Sequence, residues 1–447
     1  MSRVALLAVL LSLSPLVAQT VPDRALLVVS IDGMRPDYVG AADRHGLKIP
    51  TLRRISSTGA HARGVRGVLP TVTYPNHTTI MTGVRPAKHG IWNNTTFDPL
   101  GKNQSGWYWY SEDIRVPTLW EAAAKAGYVV GSVSWPVTVG ARGISWLIPE
   151  YWRASTSEDL KLMRVLSTPG LMKEIEPQAG RYETDLDNAI PGDWARTHYA
   201  EAIIRRKHAR FMTVHLAALD SVEHESGPFS PEANSALEEI DRMVGTLARA
   251  MRDETPNTAI CIVSDHGFAS IDRQLNITVP FVKAGLITLK EGKTVAVKDW
   301  TASPWGTGGL AFVVLRDAKV RGTVEKLLSE LAANPSMGVN HILDRAEIAA
   351  MGGAANAEFA VDMKPGFSIG GALDGPAVRE IKHGGTHGYS PAHPEMLASF
   401  LIAGPGIRQN FDLGEIDMRS IAPTLASYLG ASLTTGDLPA LNIAGKH

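Results

Sequence analysis

Cysteine is almost absent. Cys261 is the single one among 447 residues, so no internal disulfide can form and stability has to come from a buried core. Its setting, Ala-Ile-Cys-Ile-Val, reads as part of a buried strand. An excess of charge of either sign is also missing: 44 Lys and Arg stand against 45 Asp and Glu, a formal net charge of -1. That balance leaves no broad electrostatic footprint for nucleic acid or an anionic membrane, so an anionic substrate has to be drawn by local charge. There is no internal repeat or low-complexity linker, and past the N-terminus no apolar run is long enough to cross a bilayer.

What is present is the composition of a soluble globular protein, 44% hydrophobic and 20% charged, enough for one large domain with an insertion or for two domains. At the N-terminus Arg3 precedes a short apolar run that ends in small residues near Ala18. This is the layout of a cleavable secretory signal over residues 1–19 and predicts a periplasmic or secreted protein. No cysteine follows the run, so a lipoprotein anchor is not expected.

Short apolar runs at 25–31, 128–133, 211–219, 259–263 and 397–403 alternate with helical patterns at 118–126, 194–208, 232–251 and 418–429. Strands followed by helices in this rhythm predict an α/β fold, a doubly wound and mostly parallel sheet flanked by helices, over residues 22–432. From about 270 to 385 one helical pattern, 324–333, stands among glycines, prolines and shorter apolar runs, which predicts a smaller inserted cap region.

Ligands of open α/β sheets bind at the carboxyl ends of the strands. Asp32 closes the first run, Asp220 the 211–219 run and Asp265-His266 the 259–263 run. Three carboxylates at one sheet edge repel unless a cation joins them. His224 follows Asp220 by four residues, one helical turn. In Ser-Asp-His-Gly-Phe the glycine after His266 allows a sharp turn, and His387, in Gly-Gly-Thr-His-Gly-Tyr, reads as part of an exposed loop. Any one of these histidines alone would read as a core or surface residue. Together, imidazole and carboxylate suit zinc, and six ligands are too many for one tetrahedral ion, so two Zn²⁺ ions per chain are expected.

A hydroxyl nucleophile is sought in the segment 70–83. Pro75 is placed to open a helix, which puts Thr73 at its N-terminus, where free amides and the helix dipole favour an oxyanion. Local sequence alone favours Thr73 as a mere N-cap, and the same reading covers Thr71, Thr78 and Thr79.

Four segments, Ser30-Ile-Asp-Gly-Met-Arg-Pro-Asp-Tyr38, Thr73-Tyr-Pro-Asn-His77 with Thr82-Gly-x-x-Pro-x-x-His-Gly-Ile91, Ser264-Asp-His-Gly-Phe268 and Thr386-His-Gly-Tyr389, resemble the nucleotide pyrophosphatase/phosphodiesterase family of the alkaline phosphatase superfamily. The likeness runs from about residue 25 to 430. It implies hydrolysis of a phosphodiester or phosphate anhydride, such as a small nucleotide, through a covalent intermediate on Thr73. By the same match one zinc would be held by Asp220, His224 and His387. The other would be held by Asp32, Asp265 and His266, with Thr73 bound to it. Asn94 matches an asparagine that hydrogen-bonds a phosphate oxygen, with Asn93 as the fallback, and Tyr74 an aromatic that lines the nucleobase or leaving-group pocket. The chain departs from the pattern after Trp135-Pro and at Ser390-Pro, two places expected to border the pocket.

Two other readings stay open from sequence. A phosphomonoesterase or phosphonoacetate-type hydrolase would need an added cation, for which Arg35, Arg142 and Lys161 are candidates. A catalytically silent, exported phosphate-binding protein would be expected to have lost Thr73 or a ligand, and all are present. A sulfatase is disfavoured because no Cys-x-Pro-x-Arg segment exists.

Overall fold

Strand Ala25–Ile31 is buried along its whole length, and its side chains divide strictly by parity. Leu27, Val29 and Ile31 pack with Ile203 of helix Ile190–Lys207 and with Ile240, Val244 and Leu247 of helix Pro231–Glu254. Leu26 and Val28 face the other way, onto Ile80 and Met81 of helix Thr73–Thr82, Leu119 and Trp120 of helix Leu119–Lys125, and Leu425 of helix Ile421–Leu429. A strand covered by helices on both faces has to be apolar at consecutive positions, which explains the run 25–29; the polar Ser30 is met by His77 at 2.8 Å. Each such leucine or valine contributes about 1.5–3 kcal/mol on leaving water.

The computed structural model describes residues 23–103, 106–151, 157–182, 188–290, 292 and 295–445. The expected signal segment 1–19 lies outside the described residues. Eight strands form the central sheet in the order Phe411–Asp412, Ala60–His61, Phe400–Ala403, Thr258–Val263, Ala25–Ile31, Phe211–Leu216, Val130–Val133, Trp146–Ile148. Its inner pairings are parallel, Ala25–Ile31 with both Phe211–Leu216 and Thr258–Val263. The sheet is therefore α/β and mostly parallel, with one difference from the sequence reading: Phe400–Ala403 runs antiparallel to both of its neighbours. Among the described residues no helix is long and apolar enough to cross a membrane.

Helix boundaries follow local chemistry. Thr118 and Glu121 form a capping box that starts helix Leu119–Lys125, as the Thr-x-x-Glu spacing requires. Pro191 in the first turn moves the start of Ile190–Lys207 ahead of the expected residue 194, because proline is accepted where no backbone donor is needed.

Residues 269–386 build a second body of structure. Strands Ala302–Gly306, Leu310–Leu315, Ala357–Met363 and Val339–Asp344 make an antiparallel sheet. Three helices, Thr278–Lys283, Arg321–Ala333 and Arg345–Met351, occur where one was expected; the two short ones fall below the length at which periodicity is legible. Strands Ala269–Leu275 and Val378–Thr386 pair antiparallel and connect this part to the central sheet.

Candidate metal centre and nucleophile

Among the described residues two groups of side chains offer ligand atoms lying within 4.8 Å of one another, Asp32, Asp265 and His266, and Asp220, His266 and His387; His224 stands in neither. Asp32 follows strand Ala25–Ile31 directly, and Asp265 follows strand Thr258–Val263 after Ser264. Asp220 does not close a strand. Its strand stops at Leu216, and Asp220 is the third residue of helix Ala218–Ser226. The cause is the buried carboxylate of Asp193, which accepts from the amides of Ala217 at 3.0 Å and Ala218 at 2.9 Å. It caps a stretch of good helix formers, Ala217-Ala-Leu219. Helix spacing then sets His224 Nε2 3.5 Å from Asp220 Oδ2.

His266 Nε2 lies 3.0 Å from Asp265 Oδ2 and 3.3 Å from Asp32 Oδ1, and His387 Nε2 is 3.6 Å from Asp220 Oδ1. The His266 and His387 rings stack at 3.7 Å. In all three imidazoles Nδ1 is engaged by a backbone carbonyl, His266 by Gly267 at 3.1 Å, His224 by Gly385 at 3.0 Å and His387 by Thr71 at 3.2 Å. Each ring therefore turns Nε2 toward the cluster, the orientation in which a histidine serves a metal.

The carboxylates meet the complementary condition. Asp32 Oδ1, Asp220 Oδ1 and Asp265 Oδ2 are buried and accept no hydrogen bond. Buried acceptors left open in this way are costly unless a cation completes them. Burial, with Asp265 and Asp220 close by, pushes the Asp32 carboxyl well above the usual carboxylate range. Burial opposes a charge on His266, yet Asp265 and Asp32 outweigh it and hold the imidazole up to about 10. His387 goes the other way, driven well below its ordinary value by burial and by His266 and His224. The donor set, carboxylates and imidazoles around open oxygens, fits the binding of metal ions.

His387 differs from its expected setting. It is 7% exposed, just past the end of strand Val378–Thr386, not on an open loop. The glycines that suggested flexibility serve close approach instead. Gly388 has φ +85°, and a Cβ there would sit 1.8 Å from the Thr307 carbonyl. Gly267 needs no left-handed backbone; a Cβ would meet the Glu395 carbonyl at 2.1 Å. Gly388→Ala is accordingly expected to destabilise the fold by about 2–4 kcal/mol, from the backbone strain and the clash together. A denaturation midpoint equal to the parent protein's would contradict this.

Thr73 is the first residue of helix Thr73–Thr82, and the helix is buried throughout. The other threonines of this helix bond backbone carbonyls: Thr78 donates to Tyr74 at 2.8 Å, Thr82 to Thr78 at 2.7 Å and Thr79 to Val84 at 3.0 Å. Thr71, just before it, donates to Tyr389 at 2.8 Å. Thr73 Oγ1 instead faces His266 Nε2 at 3.4 Å. It makes no cap hydrogen bond, and Val72 takes the N-cap position. Asn94 Oδ1 accepts from the Tyr74 amide at 2.9 Å, beside Thr73. Asn93 is occupied elsewhere, donating to Gly306 at 3.2 Å.

Tyr74 does not line an open pocket. Its ring is fully buried, packs edge-on against Trp107 at 5.2 Å, and its hydroxyl donates to Glu150 Oε1 at 2.7 Å. A phenol with a buried carboxylate partner is drawn inward. Trp135, expected at a pocket border, is also fully buried, edge-on to His77 at 5.1 Å. Ser390 is likewise inside, its amide donating to Asp362 at 2.8 Å.

Sequence reasoning passed over several buried polar groups that surround the cluster. His215, inside strand Phe211–Leu216, donates from Nε2 to Asp32 Oδ2 at 3.0 Å, and its Nδ1 meets Glu150 Oε2 at 2.8 Å. Burial would discharge it, but Glu150 and Asp32 hold it up to about 10. His77 Nδ1 lies 3.5 Å from Asp265 Oδ2. Glu223 accepts from Tyr38 at 2.6 Å, and burial raises its carboxyl well above the usual range. A histidine in a fully buried strand was the available signal, since such a group has to be partnered.

A family model for type I phosphodiesterase / nucleotide pyrophosphatase matches residues 26–390. Human ectonucleotide pyrophosphatase/phosphodiesterase family member 1 is 27% identical over 252 residues, 54% of this chain and 23% of the human protein. A venom phosphodiesterase of Naja atra is 24% identical over 257 residues, 55% of this chain and 26% of its own length. The match thus spans about a quarter of the length of these curated relatives. The solved murine ectonucleotide pyrophosphatase/phosphodiesterase 5 superposes with a TM-score of 0.63 at 21% identity, covering 92% of this chain and 97% of that one. An inactive threonine-to-alanine variant of it, in complex with AMP, gives 0.62 at 20% identity over 93% and 97%. With the fold shared almost end to end and the profile running through every segment that carries Asp32, Thr73, Asp265 and His387, the chain belongs to the type I phosphodiesterase/nucleotide pyrophosphatase family.

Proposed function

We propose that the protein hydrolyses phosphodiester or phosphate-anhydride bonds of small nucleotides, with Thr73 as nucleophile and two zinc ions as cofactors. The observation that carries this reading is the hydroxyl of Thr73, which faces His266 within a cluster of open carboxylate oxygens while its neighbours bond backbone. Asp220, His224 and His387 would hold one ion, and Asp32, Asp265 and His266 the other, next to Thr73. Bound there, the ions supply positive charge that favours an ionised hydroxyl and neutralises phosphoryl oxygens.

The chain's own groups then do the following. Thr73 Oγ1 forms a bond to phosphorus as the bond to the leaving oxygen breaks, and the hydroxyl proton ends on solvent or on the leaving group. Water cleaves the resulting phosphothreonyl ester and restores the hydroxyl. Backbone amides at the start of helix Thr73–Thr82 receive phosphoryl oxygens. Asn94 accepts from the Tyr74 amide through Oδ1, which leaves its NH₂ to donate to a phosphoryl oxygen. The murine relative in complex with AMP supports a nucleotide substrate.

A doubly charged monoester calls for a further cation. Arg35 is paired with Asp37 at 2.8 Å and Lys161 with Glu158 at 2.6 Å, and Arg142 lines a cleft with Ser111, Arg115 and Glu121 that includes no residue of the cluster, which favours the diester. Export belongs to the same reading, supported by the apolar leader and by the relatives' designation as ectonucleotide enzymes. The test compares bis-p-nitrophenyl phosphate, the nitrophenyl ester of thymidine monophosphate and p-nitrophenyl phosphate, with and without chelator. Both diesters are expected to turn over faster than the monoester, and chelation to reduce turnover at least ~100-fold, restored by zinc. Faster monoester cleavage would make the protein a phosphomonoesterase, and no turnover by zinc-loaded protein would make it a binding protein.

A further inference from the structure

The two oxygens of Asp32 do different things. Oδ1 accepts no hydrogen bond and faces His266, while Oδ2 receives His215 Nε2 at 3.0 Å. His215 is 2% exposed and comes from the strand next to Ala25–Ile31, in register with Ser30. Its other nitrogen is held by Glu150 Oε2 at 2.8 Å and by the Ser134 carbonyl at 3.1 Å. Glu150 is itself held, accepting the Tyr74 hydroxyl on Oε1 at 2.7 Å. The string Tyr74, Glu150, His215, Asp32 thus starts one residue from Thr73 and ends on a carboxylate facing the same cluster, on a path closed to water.

A carboxylate at a strand end is free to rotate about its last torsion unless one oxygen is fixed. Fixing Oδ2 from behind presents Oδ1 forward, and because the ring is clamped by two carboxylates and a carbonyl it cannot turn away. We propose that His215 is a positioning residue, holding Asp32 so that Oδ1 meets the ion beside Thr73, with Glu150 and Tyr74 fixing the ring and tying the nucleophile's helix to it. The inference rests on the function proposed for this site.

The test uses the full chain carrying His215→Phe, His215→Gln, Glu150→Gln or Tyr74→Phe. The readings are zinc affinity by chelator competition, the visible spectrum after cobalt substitution, and kcat and KM on bis-p-nitrophenyl phosphate. His215→Phe is expected to weaken zinc binding and lower kcat ~10–100-fold, the usual effect of losing the group behind a ligand. It should alter the cobalt spectrum and leave KM within about threefold. His215→Gln, whose amide can still donate to Asp32, should recover part of both, and Glu150→Gln should act in the same direction. A cobalt spectrum and zinc affinity unchanged in His215→Phe would overturn the proposal. If that variant does not fold, Tyr74→Phe, which removes one distant oxygen, decides: an altered spectrum with a kcat a few-fold lower supports it, and parent values in both overturn it. Failure of the parent reading is separate, because it would appear in the unmodified protein as an absence of zinc binding or diester cleavage.

Discussion

Thr73→Ala is expected to lower kcat on bis-p-nitrophenyl phosphate by at least ~10³-fold, about 4 kcal/mol of transition-state stabilisation, as the removal of a covalent nucleophile does elsewhere. The substitution deletes the hydroxyl that faces His266 at 3.4 Å and leaves the helix start intact, because Val72 holds the N-cap position and Thr73 makes no cap bond. Zinc content and thermal midpoint should therefore stay near those of the parent protein. Thr73→Ser keeps the nucleophilic oxygen and is expected to retain turnover within about tenfold. Near-normal turnover by the alanine variant would rule out a phosphothreonyl intermediate, whatever the fate of the ions.

The largest effect on stability is expected at a residue far from the reacting atoms. Asp193 is fully buried, pairs with the equally buried Arg196 at 2.8 Å, and caps helix Ala218–Ser226 through the amides of Ala217 and Ala218. Asp193→Ala takes this carboxylate from a buried guanidinium and from two amides at once. Breaking one side of a buried ion pair costs about 3–5 kcal/mol. The helix it caps carries Asp220 and His224, so zinc content should fall along with the denaturation midpoint. Asp193→Asn retains an acceptor for one amide and should lie between the two. An alanine variant whose midpoint moves by less than about 0.5 kcal/mol would show that the pair contributes nothing net, as happens for many exposed pairs.

The strand-end positions of Asp32, Asp265 and His266 were legible in the sequence because each comes at or just past the end of a mainly apolar run, and the strand-end rule depends on nothing further. Thr73 was legible for a similar reason, Pro75 marking the helix start. Beyond those positions local spacing gave out. The run 211–219 concealed the change from strand to helix at residue 217, since its cause, Asp193, is 24 residues away. The partnership of His215 with Asp32 spans 183 residues, and a histidine among apolar neighbours reads locally as one more strand residue. Tyr74 followed a motif into the wrong environment: only tertiary structure brings Glu150, 76 residues on, close enough to draw the phenol inward. His387 was misplaced because glycines around it resemble a loose loop, whereas the ladder with Ala269–Leu275 encloses them.

That ladder has its own significance. In it Ala269 stands opposite Thr386 and Ser270 opposite Gly385, and strand Gly366–Ile369 lies along the other side of Ala269–Leu275. His266 stands just before one foot and His387 just after the other, their rings 3.7 Å apart. The inserted part also props one foot from within: Gly309 donates its amide to the His387 carbonyl at 2.7 Å and Thr307 its hydroxyl to the Gly388 carbonyl at 2.8 Å. Mutation can lengthen, shorten or exchange the outer helices and strands of the insertion while the two imidazoles keep their separation, provided the turn at 307–309 stays in place against His387 and Gly388. The same attachment forbids outright removal of the insertion, because cutting both legs of the ladder would set His387 adrift.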